Sequence, residues 1–273
     1  MNIFRILLMI IVFSACSEKQ TSLYRFNLKG CVKEVAHVGY NVIDKYGTLE
    51  KSNDGYIKYL YSFDENGYLI NKIEQERSNG RGSSWKYHYD YDDGRLCKEF
   101  INGTMTIYNY ENQMLKDTRT YYENGTLLKK VVYITSGGKV VREEEYDNEG
   151  NLYNFVVNNY KGDFCDKEIW TIIDGSEELI TTESYNKENL IKRVSHYARQ
   201  TSEIFYNEHN LVVKTINGKW IMDKLGSYKE TGNVYEYEYF YDDMGNWIKR
   251  VEYKGAAKIP QRVEIRDIVY YNK

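Results

Sequence analysis

The feature that most constrains this chain is a short turn motif that recurs nine times along it. Each copy has an aromatic residue or Ile, then Asp, Glu or Asn, a Gly or Asn, one further residue, and Leu or Trp. Clear copies are Phe63 to Leu69, Tyr91 to Leu96, Tyr122 to Leu127, Tyr146 to Leu152 and Tyr241 to Trp247. Copies without the Gly run from Tyr110 to Leu115, Tyr185 to Leu190 and Tyr206 to Leu211, and a degenerate one from Ile43 to Leu49. Many spacings are near 20 residues, and self-similarity at such a period signals a repeat architecture. Each copy has a mechanical reading. Asp or Asn bonds the backbone two residues on, Gly or Asn supplies positive φ, and the flanking aromatic and Leu face each other across the closing strands.

The flanks alternate as strands do. Trp85, Tyr87, Tyr89 and Tyr91 share one face, and Lys86, His88 and Asp90 the other. Tyrosine occurs 29 times, against 9 Phe and 4 Trp, and past residue 16 there are four alanines, a composition that favours strands over helices. Asn102-Gly103 and Asn217-Gly218 read as two-residue hairpin turns, with Asp174-Gly175 and the Gly137-Gly138 pair as others. Only Leu115 to Tyr122 separates two motif copies, which is room for one strand, so those two turns belong at opposite ends or one copy is accidental. The expected fold is all-β with little helix: an antiparallel meander of many short hairpins forming one long twisted or coiled repeat sheet. Residues 23–40 and Val263 to Tyr271 are expected to cap its edges, and segments 217–233 and 254–262 to be irregular insertions.

Residues 1–15 read as a lipoprotein signal peptide. Arg5 precedes an apolar run from Ile6 to Phe13, too short to span a bilayer. Phe13-Ser14-Ala15-Cys16 resembles a bacterial lipobox, which makes Cys16 the expected lipidation site, residues 16–22 a tether and 23–273 a single β-repeat domain. The expected location is the cell envelope, anchored by lipid to the outer membrane of a Gram-negative bacterium. Cys31, Cys97 and Cys165 remain, so at most one disulfide can form, and three unbridged thiols are the expectation. The net charge of -3 argues against a nucleic-acid partner held by bulk charge.

The Tyr-Asp pairs at 91–92, 146–147 and 241–242, and the run Tyr241-Asp242-Asp243-Met244-Gly245-Asn246-Trp247-Ile248-Lys249-Arg250, resemble the YD repeats of the RHS family. The resemblance covers most of residues 40–253. It implies a sheet-forming repeat of the kind met in small bacterial lipoproteins of unassigned function. The hollow shell of the large family members is not implied, because the length and the cargo domain are missing. The MORN-type repeat uses similar Tyr, Gly and Leu signals, but its second glycine is mostly absent here.

No catalytic constellation, cofactor motif or metal-ligand spacing stands out. The acidic residues of the turns have a structural task, so no catalytic residue, metal site or cofactor is assigned, and the chain is read as non-enzymatic. The remaining signal is aromatic. Trp85, Tyr87, Tyr89 and Trp220 are the candidate ligand-binding residues, as a stacking platform for a protein or a glycan. Trp170 and Trp247 read as core. A structural scaffold in the envelope is the alternative function, and an acid/base glycan hydrolase the weakest one.

Overall fold

Antiparallel pairing runs without interruption from the first strand to the last, and the last strand then pairs with the first. The computed structural model describes residues 22–45, 48–78, 81–187, 189–196, 200–222 and 228–271. One helical turn, α1 (Ser22–Arg25), precedes eighteen strands. They are β1 (Val32–Lys45), β2 (Thr48–Phe63), β3 (Leu69–Ser78), β4 (Arg81–Asp92), β5 (Arg95–Ile101) and β6 (Thr104–Glu111). Then come β7 (Met114–Tyr122), β8 (Leu127–Ser136), β9 (Lys139–Asp147), β10 (Leu152–Lys161), β11 (Phe164–Ile173) and β12 (Ser176–Asn186). The last six are β13 (Asn189–Ser195), β14 (Gln200–Tyr206), β15 (Val212–Met222), β16 (Tyr228–Tyr241), β17 (Trp247–Lys254) and β18 (Ile259–Tyr270).

The sheet is therefore a closed 18-stranded barrel, and the expected open, twisted or coiled repeat sheet is overturned. The reason lies in the two terminal segments expected to act as caps. Val35 pairs with Ile268, His37 with Arg266 and Gly39 with Glu264, so each end strand satisfies the other's free backbone groups and no edge remains. Where they are described, the expected insertions are regular strand and one tight connection, and residues 223–227 lie outside the described residues. Asn217 and Gly218 do not turn the chain. They lie inside β15, opposite Asn233 and Gly232 of β16, because a ladder from Lys214 to Met222 outweighs a two-residue turn signal. Segment 254–262 holds the end of β17, a tight connection at 255–258 and the start of β18, and Pro260 sits at a register shift, where the ladder can spare its missing N–H.

The motif turns share one construction. Asp64 Oδ1 accepts hydrogen bonds from the backbone N–H of Asn66 (3.0 Å) and Tyr68 (2.8 Å). Asp147, Asn207 and Asp242 repeat this with Glu149 and Asn151, His209 and Leu211, and Met244 and Asn246. Gly67, Gly150 and Gly245 each hold positive φ in these turns (85°, 90° and 77°). Other copies close in two residues, as Asp93-Gly94 does. The strand count then places the copies. The turns after β2, β4, β6, β12, β14 and β16 lie at one mouth, and those after β7 and β9 at the other. β7 alone separates the copies at 110–115 and 122–127, so the motif changes mouth there and both copies are real.

The residues before β1 cross the first mouth as a plug. Leu23 N–H donates to Gly67 O (3.2 Å), and Ser22 Oγ accepts from Leu69 N–H (2.9 Å). Across the opening, Asn27 Nδ2 donates to His209 O (2.8 Å). Asn246, fully buried, accepts from Lys29 N–H at Oδ1 (2.6 Å) and donates from Nδ2 to Lys29 O (3.0 Å). Phe26 packs on Tyr61 and Phe63 (centroids 4.8 and 5.7 Å), and Leu28, Val32, Val35 and Leu69 complete this core. Asn246→Ala strips both polar partners from Lys29. Two lost part-buried hydrogen bonds cost roughly 0.5–1.5 kcal/mol each. Urea unfolding should show this loss, and amide exchange should show residues 22–31 losing protection before the wall does.

Candidate functional site

Residues directly opposite in a ladder share a face, so the pairings identify the inner wall. Starting from Tyr59 and Tyr61, which lie on the side that Phe26 plugs, the face passes through Glu74, Trp85, Glu99, Thr106, Thr118 and Val131. It continues through Glu143, Val156, Lys167, Glu183, Arg193, Ser202 and Thr215 to Tyr239, Arg250 and Glu264, and closes at His37. An eight-stranded barrel fills its interior with side chains, while sixteen to eighteen strands leave an aqueous lumen. Here the buried apolar cluster is confined to the plugged mouth, and beyond it the wall carries half-buried Tyr and charged residues.

The tyrosine hydroxyls are tied down. Tyr108 donates to Glu99 (3.1 Å), Tyr110 to Leu96 O (3.0 Å) and Tyr206 to Leu190 O (2.9 Å). The last two link the first aromatic of one motif copy to the final Leu of the copy before. Burial, and the nearby Glu99 carboxylate, push the Tyr89 and Tyr108 hydroxyls upward, so they stay protonated.

Three of the candidate residues come together. Trp85, Tyr87 and Tyr89 stand in one column of β4, half-buried and facing the lumen. Tyr87 and Tyr89 stack (6.4 Å, 7°), and Lys72 Nζ sits 4.4 Å above the Tyr87 ring. Trp220 is not beside them. It occupies β15, opposite Glu230, and its side chain is outside the described residues. Cys16 and the rest of 1–21 also lie outside them. Cys31, Cys97 and Cys165 are all free, Cys31 at the surface. Among the described residues no group of His, Cys, Asp and Glu could hold a metal ion. A recess of about 480 Å³ adjoins Tyr133, Glu143, Glu145, Asn154 and Trp170.

Sequence reasoning missed a charged cluster between β1, β17 and β18. Glu264 Oε2 meets His37 Nε2 (3.1 Å) and Arg250 Nη2 (2.6 Å), and Arg262 Nε lies 3.2 Å from Oε1 without the alignment of a hydrogen bond. Gly39 leaves room for this, since a Cβ there would stand 2.6 Å from Arg262 Nη2. Burial works to raise the Glu264 carboxyl, but the His37 hydrogen bond and the Arg250 charge outweigh it and hold it at about 2. Arg266 stacks 3.6 Å over Trp247, and burial lowers its guanidinium to about 10. The alternation of Arg262, Glu264 and Arg266 along β18 was the available signal, but nothing in the sequence placed His37 or Arg250 opposite it.

The outward face is mixed: exposed Phe100, Ile134, Phe205, Phe240, Ile265 and Val269 stand among many charged residues. Lys86, Lys98, Arg119, Lys130, Glu144, Glu168, Lys192, Glu203, Lys214, Glu236, Lys249 and Asp267 lie on it. A membrane barrel needs an apolar belt about 25 Å tall, and each Arg or Lys at its midplane costs about 2–4 kcal/mol. No helix among the described residues is long and apolar enough to cross a membrane.

No family model matches the chain, and no curated protein matches it in sequence. Among solved structures, a porin-like protein from Bacteroides uniformis is 12% identical with a TM-score of 0.43, over 87% of this chain and 96% of that one. A second porin-like protein, from Bacteroides vulgatus, is 11% identical (TM-score 0.31; 90% and 100%). The TcdB2-TccC3-Cdc42 structure is 12% identical (TM-score 0.30), over 85% of this chain and 14% of that one. These are likenesses of β-rich fold alone.

Because Glu264 sits at about 2, below the ordinary 4.5, its pairing stabilises the fold fully above pH 4.5, and that contribution is lost as pH falls through 2. The shift corresponds to on the order of 3 kcal/mol. Glu264→Gln should lower stability at pH 7 by about 3–5 kcal/mol, as expected when one partner of a buried ion pair is removed. The variant should also show a shallower acid dependence of thermal melting between pH 4.5 and 2, with the lowered carboxyls of Glu144, Glu145 and Asp147 supplying what remains.

Proposed function

We propose that the protein is a non-catalytic lipoprotein of the cell envelope whose barrel is a water-filled binding chamber for a glycan. The observation that carries this is the lumen wall: aligned aromatic rings, with Trp85, Tyr87 and Tyr89 in one column, among fixed Glu, Lys and Arg side chains. Aromatic faces stack on sugar rings, and paired charges and anchored hydroxyls meet sugar hydroxyls without reorganisation. The extended flat surface expected of an open sheet does not exist in a closed barrel, so binding moves from the outside of the sheet to its inside.

The anchor fits this arrangement. A lipidated Cys16 would stand six residues before Ser22, a reach of at most about 20 Å. That would hold the plugged mouth toward the membrane and turn the other mouth away from it. The charged exterior favours a tethered barrel over an inserted pore. The hydrolase alternative is disfavoured at the recess near Glu143 and Glu145. Burial raises the Glu145 carboxyl, but the hydrogen bond from Lys129 (2.6 Å), with those of Tyr153 and Asn154, brings it below its ordinary value, the wrong direction for a general acid.

Two measurements test the proposal. Cells fed labelled fatty acid should label the wild-type protein and not Cys16→Ala. Titration of purified protein against a panel of oligosaccharides should give saturable binding, and Tyr87→Ala and Tyr89→Ala should each weaken it by about 1–3 kcal/mol, the worth of a stacked ring in a binding pocket. A folded barrel that binds no member of the panel, or reducing-end release that Glu143→Gln abolishes, would overturn the chamber reading.

A further inference from the structure

The charged cluster on β1, β17 and β18 is out of balance. Glu264 is shared by His37, Arg250 and Arg262, at 3.1, 2.6 and 3.2 Å. Glu252, the remaining acid on this stretch of the inner face, stands opposite Arg262 and Tyr237. Among the described residues no ion pair reaches Arg266. Its Nε and Nη1 are shielded from solvent and have no hydrogen-bond partner. A guanidinium left this way is costly, and the fold keeps it nonetheless. Its place is specific: one ladder step deeper than Val35 and Ile268 of the core that the plug covers, opposite His37, and flat on Trp247.

We infer that Arg266, on its Trp247 platform, is the anchor for an acidic group of the ligand, so that the lumen selects acidic oligosaccharides over neutral ones. The inference rests on the chamber reading and deepens it. A carboxylate or sulfate matches the planar fork of a guanidinium and would supply the partner that the protein withholds. Glu264 fits the same purpose, because its direct contacts go to His37, Arg250 and Arg262 and leave Arg266 without an ion pair. The adjoining rings of Trp247 and Tyr239 (5.8 Å, 73°) give the attached sugar an apolar floor.

The test titrates the full chain with three probes: galacturonate oligomers, a sulfated oligosaccharide of similar length, and a neutral cello-oligosaccharide. The expected result is at least tenfold tighter binding of one or both acidic probes, weakening with added salt. The two acidic arms separate carboxylate from sulfate. Arg266→Met keeps the packing on Trp247 and removes the charge, so it should cost at least tenfold in acidic-probe affinity while the Tm is unchanged or rises by about 2–4 °C. Arg266→Lys, which keeps the charge without the fork, should bind several-fold more weakly than wild type, and it serves if the Met variant does not fold. Equal binding of neutral and acidic probes would overturn the anchor and leave the chamber standing. A fall in Tm with affinity unchanged would make Arg266 structural. A folded barrel that binds none of the three would overturn both readings.

Discussion

The pairing of the first strand with the last is the interaction on which the rest of the molecule depends. Seventeen of the eighteen ladders join strands that are neighbours in sequence; the eighteenth joins Val35 to Ile268 and His37 to Arg266. Without that ladder the chain would be a strip with two unsatisfied edges and no inside. With it, one face becomes a lumen, the segment before β1 is drawn across a mouth, and the C-terminal Tyr271 reaches Phe63 O (2.7 Å). The cluster around Glu264 exists only because of closure, since His37 comes from one end of the chain and Arg250, Arg262 and Arg266 from the other.

Closure also decides how the two faces are used. In an open sheet the Tyr-rich face would need either a partner or a second layer. In a barrel it encloses water, and the tyrosines bind one another's strands through their hydroxyls, as Tyr110 and Tyr206 do. The exterior keeps charge on most strands, interspersed with exposed apolar side chains such as Phe205, Phe240 and Ile265. A period-two alternation thus gives the two sides of one wall different side chains.

Much of this was legible in the residues. The turn motif, the alternation and the column Trp85, Tyr87, Tyr89 each followed from local chemistry, and local chemistry is what a sequence displays. Closure was not legible, because nothing within twenty residues of Val35 reports that Ile268 will meet it. The same limit hid the site: Arg250, Glu264 and His37 are unremarkable apart and become a charged cluster only across two ladders. Asn217-Gly218 misled for the opposite reason, since a local turn signal lost to a long ladder with β16. Trp220 was singled out on the strength of that false turn.

The single strand between the motif copies at 110–115 and 122–127 has a consequence for how this fold can change in length. An antiparallel ring closes only with an even number of strands; one strand more or fewer would bring β1 and β18 together in parallel. The unit of gain or loss is therefore a hairpin, about twenty residues, whichever turn is duplicated. Because motif turns occur at both mouths, such a hairpin could be copied from either end of the barrel. Deletions and insertions of that size would change the bore and leave the seam, the plug and the charged cluster around Glu264 in register, whereas a change of half that size would break all three.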